Sequence, residues 1–177
     1  PDGNLWFIKR RIPFENSPGW PAHVGRITPQ GIVTEFTEGI SAGADLLSIT
    51  AGPDGNLWFI ESPPPPSRKL AVGRITPQGL VTEFAFELDS RTFLDTPIVA
   101  GPDGNLWLGL SLRYRLPGDR TSGYYLPSLA RITPLGSITQ FSPFGPSPPI
   151  NASASIQMVM GEIVADHAGN LWMTTVD

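Results

Sequence analysis

Two groups of side chains in this sequence are of types that do chemistry. The first is acidic. Glu61 closes an apolar run, and Glu87, Asp89 and Asp95 follow it within one repeat length. Carboxylates gathered on one rim would hold a hard cation such as Mg²⁺ or Ca²⁺. The second is cationic and aromatic. Arg113, Tyr114, Arg115, Arg120, Tyr124 and Tyr125 crowd into one long irregular stretch, and Arg68 with Lys69 follows four prolines, Pro63–Pro66. Arginine and tyrosine are favoured in interface hot spots. These residues, with Glu61, are the candidate contacts for a small molecule, a glycan or a peptide. The tetraproline reads as an extended spacer.

Other reactive groups are few. The two histidines, His23 and His167, lie far apart with no carboxylate at ligand spacing, so they read as surface or turn residues rather than a metal site. Cysteine is absent, which removes disulfides and thiolate chemistry. There is no phosphate loop and no Ser or Cys nucleophile motif. A net charge of −4 carries no footprint of nucleic-acid binding. No apolar run reaches membrane-spanning length. Neither nucleic acid nor membrane is an expected partner.

The elements that position these residues repeat. Pro-Asp-Gly-Asn-Leu-Trp occupies 1–6, 53–58 and 102–107, and a worn copy, His-Ala-Gly-Asn-Leu-Trp, occupies 167–172. Between them lie Gly-Arg-Ile-Thr-Pro-Gln-Gly at 25–31 and 73–79 and Ala-Arg-Ile-Thr-Pro-Leu-Gly at 130–136. In Pro-Asp-Gly, proline presets the first corner of a type I turn and glycine accepts the left-handed residue that ends it. Asn56–Ile60 is too apolar for one wet face and reads as a strand covered on both sides. Leu80–Phe84 alternates as a half-exposed outer strand does. Each unit is therefore a four-stranded antiparallel meander, here called inner, second, third and outer strand. With 19 glycines, 20 prolines and no helix-period stretch, the fold class is all-β. Four-stranded units at this period are the blades of a β-propeller, with Trp6, Trp58, Trp107 and Trp172 packing between blades.

Blade boundaries fall at 1–37 (partial), 46–86, 96–141 and 156–177 (partial), within a single propeller segment. The count is thirteen strands, an arc of about three and a quarter blades, against four to eight in a closed ring. An incomplete ring, completed by remaining blades or by another copy of the chain, is the expectation. The tight turns lie on one rim. Second-to-third loops and outer-to-inner crossovers lie on the other, where variable loops on a rigid scaffold place binding. Nine of the twelve basic residues fall on that rim. The crossovers carry Glu38, Asp45, Glu87, Asp89 and Asp95, so surface ion pairs between loops and crossovers are expected.

Gly-Pro-Asp-Gly-Asn-Leu-Trp-Phe followed by Gly-Arg-Ile-Thr-Pro-x-Gly-x-Val-Thr-Glu-Phe resembles the virginiamycin B lyase (streptogramin B lyase) family of seven-bladed propellers. The resemblance covers most of the chain. It implies a carbon–oxygen lyase that opens a cyclic depsipeptide antibiotic by elimination with Mg²⁺ assistance, using histidines in a Pro-His-Gly-Ile or Pro-His-Ala-Ile phrase at the start of an inner strand. That phrase is missing here. Leu47, Thr96 and Gly161 fall at the histidine position, and none can act as a general base. The segment is thus expected to be a non-catalytic binding scaffold with no catalytic residue, metal or cofactor of its own. The alternatives are an active Mg²⁺-dependent lyase whose catalytic blades lie outside this chain, and a sensor or cell-surface propeller that binds a glycan or peptide. No signal peptide is visible, and a secreted or cell-surface location is favoured over the cytoplasm.

Overall fold

A computed structural model describes residues 2–10, 21–62, 64, 70–86, 92–114, 124–142, 159–166 and 168–176. It is all-β, with antiparallel sheets throughout and no helix among the described residues. The first sheet holds β1 (Leu5–Lys9), β2 (His23–Ile27) and β3 (Val33–Phe36), in that order. The second holds β4 (Asp45–Ala51), β5 (Leu57–Ser62), β6 (Leu70–Ile75) and β7 (Val81–Phe86). In the third, β10 (Leu106–Tyr114) and β11 (Tyr124–Ile132) are flanked by β12 (Ile138–Phe141) on one side and by β8 (Thr92–Leu94) and β9 (Val99–Ala100) on the other. The fourth pairs β13 (Val159–Ala165) with β14 (Leu171–Val176). Contacts divide the chain into two compact units, Pro1–Leu88 and Asp89–Asp177.

Fourteen strands form where thirteen were expected, because the inner strand of the third sheet is made in two pieces, β8 and β9. The reason is local. β10 runs past Gly109, so its outward backbone groups at Leu110–Leu112 need partners, and Thr92–Leu94 supplies them.

The turns form as their residues dictate. Gly55 N donates to Gly52 O at 3.3 Å, Gly52 N donates to Asn56 O at 2.7 Å, and Gly55 has φ +78°. The aspartate between them does more than shape the turn. Asp54 accepts from Asn56 N (3.2 Å), Asn56 Nδ2 (2.7 Å) and the Trp58 indole Nε1 (2.9 Å). Asp2 and Asp103 hold Trp6 and Trp107 in the same way at 3.0 and 3.1 Å. In the worn copy Ala168 stands at the aspartate position, and Asp166, two residues upstream, takes over the Trp172 indole at 2.7 Å.

The second phrase meets the first across the sheet. Register pairs Trp58 with Arg74, and Phe84 lies on the same face. Trp58 and Phe84 stack at 5.6 Å, with the Arg74 guanidinium 5.7 Å from one ring and 5.6 Å from the other. Trp6, Phe36 and Arg26 repeat this arrangement, and in the third sheet Trp107 stacks on Phe141 with the Arg131 guanidinium 5.4 Å from the Phe141 ring. Such cation–π and aromatic pairs each add about 0.5–1.5 kcal/mol beyond burial.

On the opposite face Phe59 lies over Gly73 and Phe7 over Gly25, with no room for a Cβ at either glycine. The third sheet shares the volume differently, with Leu108 opposite Ala130. In the first unit, Trp6, Ile8 and Phe36 pack against a core that includes Leu57, Phe59 and Ile75, so Trp6 does join neighbouring sheets. Arg26 Nη1 ties the same two sheets by donating to Pro77 O at 2.8 Å. Trp58 is fully buried, whereas Trp172 is 60% exposed.

Candidate functional site

The cationic and aromatic candidates sit differently from their expected place in a loop. Arg113 and Tyr114 end β10, and Tyr124 and Tyr125 begin β11, so the described parts of this stretch, 111–114 and 124–128, are paired strands rather than loop. Alternating Leu110, Leu112 and Leu126 extend the strands, with Leu110 and Leu126 buried. Arg115, Arg120 and Arg68 lie outside the described residues, as do Lys69, Glu87, Asp89 and Arg91.

What the sheet brings together is Arg113, Tyr125 and a residue the sequence did not single out, Phe93. Register puts Arg113 opposite Tyr125 and Phe93 opposite Ser111 on one face. The Arg113 guanidinium is 5.9 Å from the Tyr125 ring, and Phe93 meets that ring edge-on at 5.7 Å. Arg113 Nε is buried without a hydrogen-bond partner, and Phe93 is 42% exposed. Beneath this corner Ser111 Oγ donates a short hydrogen bond to Asp95. Phe93 was hidden because the crossover carrying it gave no strand pattern.

Glu61 requires a correction. It is not a rim contact but a fully buried member of β5. Its Oε1 accepts from Ser41 N at 3.0 Å, and the same N–H reaches Glu83 Oε1 at 3.0 Å. Ser41 Oγ also lies 3.3 Å from Glu83 Oε2. Burial pushes the Glu61 carboxyl up to about 7, and hydrogen bonding and repulsion from Glu83 add to the rise, against the lowering effect of Ser41. Glu83 is part of the repeated Val-Thr-Glu-Phe phrase. Its role shows only when the sheets are aligned strand by strand.

His23 is likewise not a surface residue. It opens β2, is buried, and has Nε2 3.0 Å from Glu35 Oε1 and Nδ1 3.3 Å from Pro21 O. His167 lies outside the described residues. One expected loop-to-crossover ion pair forms, Arg10 Nη2 to Asp45 Oδ2 at 2.7 Å, which raises the arginine's already high pKa.

Leu47, Thr96 and Gly161 share a feature absent from the sequence pattern: each sits where its inner strand bulges. Leu46 pairs with Glu61 and Ser48 with Ile60, leaving Leu47 extra. Register breaks again between Met160 and Ile163, and between β8 and β9. Bulges re-aim side chains and are frequent beside active sites. The residues here do not use the opportunity. Leu47 and Gly161 have no polar side-chain atom, and Thr96 Oγ1 accepts from Gly109 N at 2.7 Å. A divalent cation needs several oxygen donors, and these three positions do not fit one. The acid pair is also a poor fit, because two carboxyls with no third ligand among the described residues supply too few oxygen donors. Among the described residues no cluster of three or more metal-type ligands occurs. An open cleft in the first unit, lined by Asn4, Trp6, Ile49, Thr50, Ala51 and Leu57, has no titratable side chain.

No protein-family model matches the chain, and no curated protein matches it. Among solved structures, MPT-4, a mannose phosphorylase from Leishmania mexicana determined in complex with phosphate, is similar at 14% identity and a TM-score of 0.50. The likeness covers 98% of this chain and 60% of that one, so this chain spans well under two thirds of its neighbour's length. At that identity the similarity concerns the all-β fold. Among the described residues no helix is long and apolar enough to cross a membrane.

Proposed function

We propose that this chain is a repeat segment of a virginiamycin B lyase-like propeller and works as a binding scaffold rather than as a catalyst. The observation that carries this reading is the filling of three equivalent inner-strand bulges by Leu47, Thr96 and Gly161, none of which can exchange a proton with a substrate near neutral pH. The two repeated phrases support the family assignment. The ligand surface in this reading is the Arg113–Tyr125–Phe93 corner, whose rings and guanidinium suit a glycan or peptide bearing a carboxylate. Remaining blades or another copy of the chain complete the assembly, at a secreted or cell-surface location.

The test is a glycan and peptide array probed with the chain and with Phe93→Ala and Arg113→Ala, each first shown by circular dichroism to keep its strands. Loss of the same hits in both variants, by roughly tenfold or more in affinity, is expected. Unchanged hits contradict the reading.

A second reading is favoured by the bulges themselves, since they recur at one place in three sheets. In it, the full-length protein is a Mg²⁺-assisted lyase with its base on blades outside this chain. Elimination opens a cyclic depsipeptide ester without adding water, so the product would show a chromatographic shift at unchanged mass. No such product from the full-length protein contradicts this second reading.

A further inference from the structure

One pair of carboxyls, a buried one beside an exposed one, serves neither reading. Glu61 is fully buried, and its Oε2 has no hydrogen-bond partner. Its neighbour Glu83 is the other carboxyl reached by the Ser41 N–H. One shared N–H donor cannot compensate a buried Glu61 carboxylate and the negative charge of the exposed Glu83 beside it. A fully ionised pair would leave a desolvated carboxylate oxygen facing a like charge. A single shared proton removes both costs, because a carboxylic acid then donates to its carboxylate partner.

Among the described residues, the surrounding elements offer no cation instead. From the crossover 37–44, Glu38 is exposed and adds negative charge. On β4, Asp45 is held by Arg10 and Leu46 is the residue opposite Glu61. On β6, Ala71 is opposite Glu61, while Arg74 lies on the other face between Trp58 and Phe84. On β7, Ala85 and Glu83 share the face. In the first sheet, Arg26 donates to Pro77 O, and Lys9 lies on the face opposite Trp6 and Ile8. Among the described residues neither Glu61 nor Glu83 has an ion pair.

Ser41 makes the pair mechanical. It belongs to the crossover between the first and second sheets, where Gly39 packs on Val81 and Ile40 joins the core. We propose that Glu61 and Glu83 share one proton and, through Ser41, latch this crossover onto the second sheet, fastened in mildly acidic solution and released in alkaline. The latch works as acid dyads do, in which adjacent like charges resist ionising together. Burial of Glu61, which raises its carboxyl to about 7, places the change near neutrality. On release the exposed Glu83 side chain swings to solvent, Ser41 loses its N–H and Oγ contacts to Glu83, and the buried Glu61 charge favours opening of the crossover.

The experiment is amide hydrogen exchange of residues 37–44 in the full chain from pH 5 to pH 9, expressed as protection factors to remove intrinsic base catalysis. Protection at Ser41 is expected to be highest at the acid end, to fall by up to about tenfold per pH unit as pH rises toward 7, and to level off above it. Glu61→Gln keeps a neutral donor beside Glu83, and its protection is expected to be independent of pH. The wild-type chain supplies a second measurement that needs no variant: the Glu61 side-chain carboxyl ¹³C shift should titrate near 7. Three results overturn the proposal. These are pH-independent protection in the wild type, a Glu61 titration in the ordinary carboxylate range, and restoration of protection at pH 8.5 by Ca²⁺ or Mg²⁺ alone. The last would assign the pair to a metal rather than a proton.

Discussion

In the first sheet, the positions three steps beyond the turn-side tryptophan and arginine hold Lys9 and His23, and Glu35 lies opposite Gly25 on the same face. In the second sheet the same positions hold Glu61, Ala71 and Glu83, and in the third Leu110, Ser128 and Gln140. Much around them is alike: in all three an aspartate holds the tryptophan and an arginine lies against a ring, and in the first two a glycine lies under a phenylalanine. The first sheet answers its glutamate with a histidine 3.0 Å away. The second answers it with another carboxyl. The third answers it with a neutral pair, Gln140 Nε2 donating to Ser128 Oγ at 3.1 Å. Frame and content are therefore separable. The frame is set by packing and tolerates little, and the contents are set by charge and differ from sheet to sheet.

Substitutions in the frame should cost most. Trp58→Ala should lose about 3–5 kcal/mol, because the side chain is fully buried. The same change at Trp172, 60% exposed, should cost under about 1 kcal/mol. Urea unfolding of the two variants checks this, and equal costs would mean that the frame is not graded by burial. Next comes the phenylalanine–glycine pair. Gly73→Ala should cost about 1–3 kcal/mol through collision with Phe59. Adding Phe59→Leu, which reproduces the Leu108–Ala130 solution of the third sheet, should recover at least half of that loss by the same assay.

Asp54→Ala should cost about 1–2 kcal/mol. Burial works against the charged form of Asp54, but the Trp58 and Asn56 hydrogen bonds outweigh it and lower the carboxyl. With a lowered folded value, this contribution is present above pH 3.8 and lost as pH falls through that lower value. A wild-type acid limb that Asp54→Ala leaves unchanged would remove Asp54 from the frame. Smallest is Arg10→Ala, expected within about 1 kcal/mol because the pair with Asp45 is exposed. Its measured effect should shrink further in 0.5 M salt.

The frame was legible in the sequence because it repeats. Pro-Asp-Gly gave the turn, and Leu-Trp-Phe-Ile gave a strand buried on both faces. The contents were harder to see. Glu61 looked like a rim residue, since its burial depends on Ser41 arriving from a crossover twenty residues earlier. Glu83 was concealed inside a repeated phrase, and His23 at the end of a loop, one residue before the expected third strand. Phe93 and the hairpin reaching Tyr114 and Tyr124 were missed because the partner strand β8 has only three residues. The bulges at Leu47, Thr96 and Gly161 leave no mark in composition or period, because a bulge is a property of register between two strands.

The separation of frame from content is tested most directly by the unfolding free energy of the wild-type chain and of Glu61→Gln at pH 5 and pH 9. Glu61 is raised from 4.5 to about 7, so its protonated form stabilises the fold fully below pH 4.5, and that stabilisation is lost as pH rises through about 7. The account expects the wild type to lose on the order of 2–3 kcal/mol between the two conditions while Glu61→Gln keeps its stability. A wild type with no such loss, or a Glu61→Gln variant with the same slope, would contradict it.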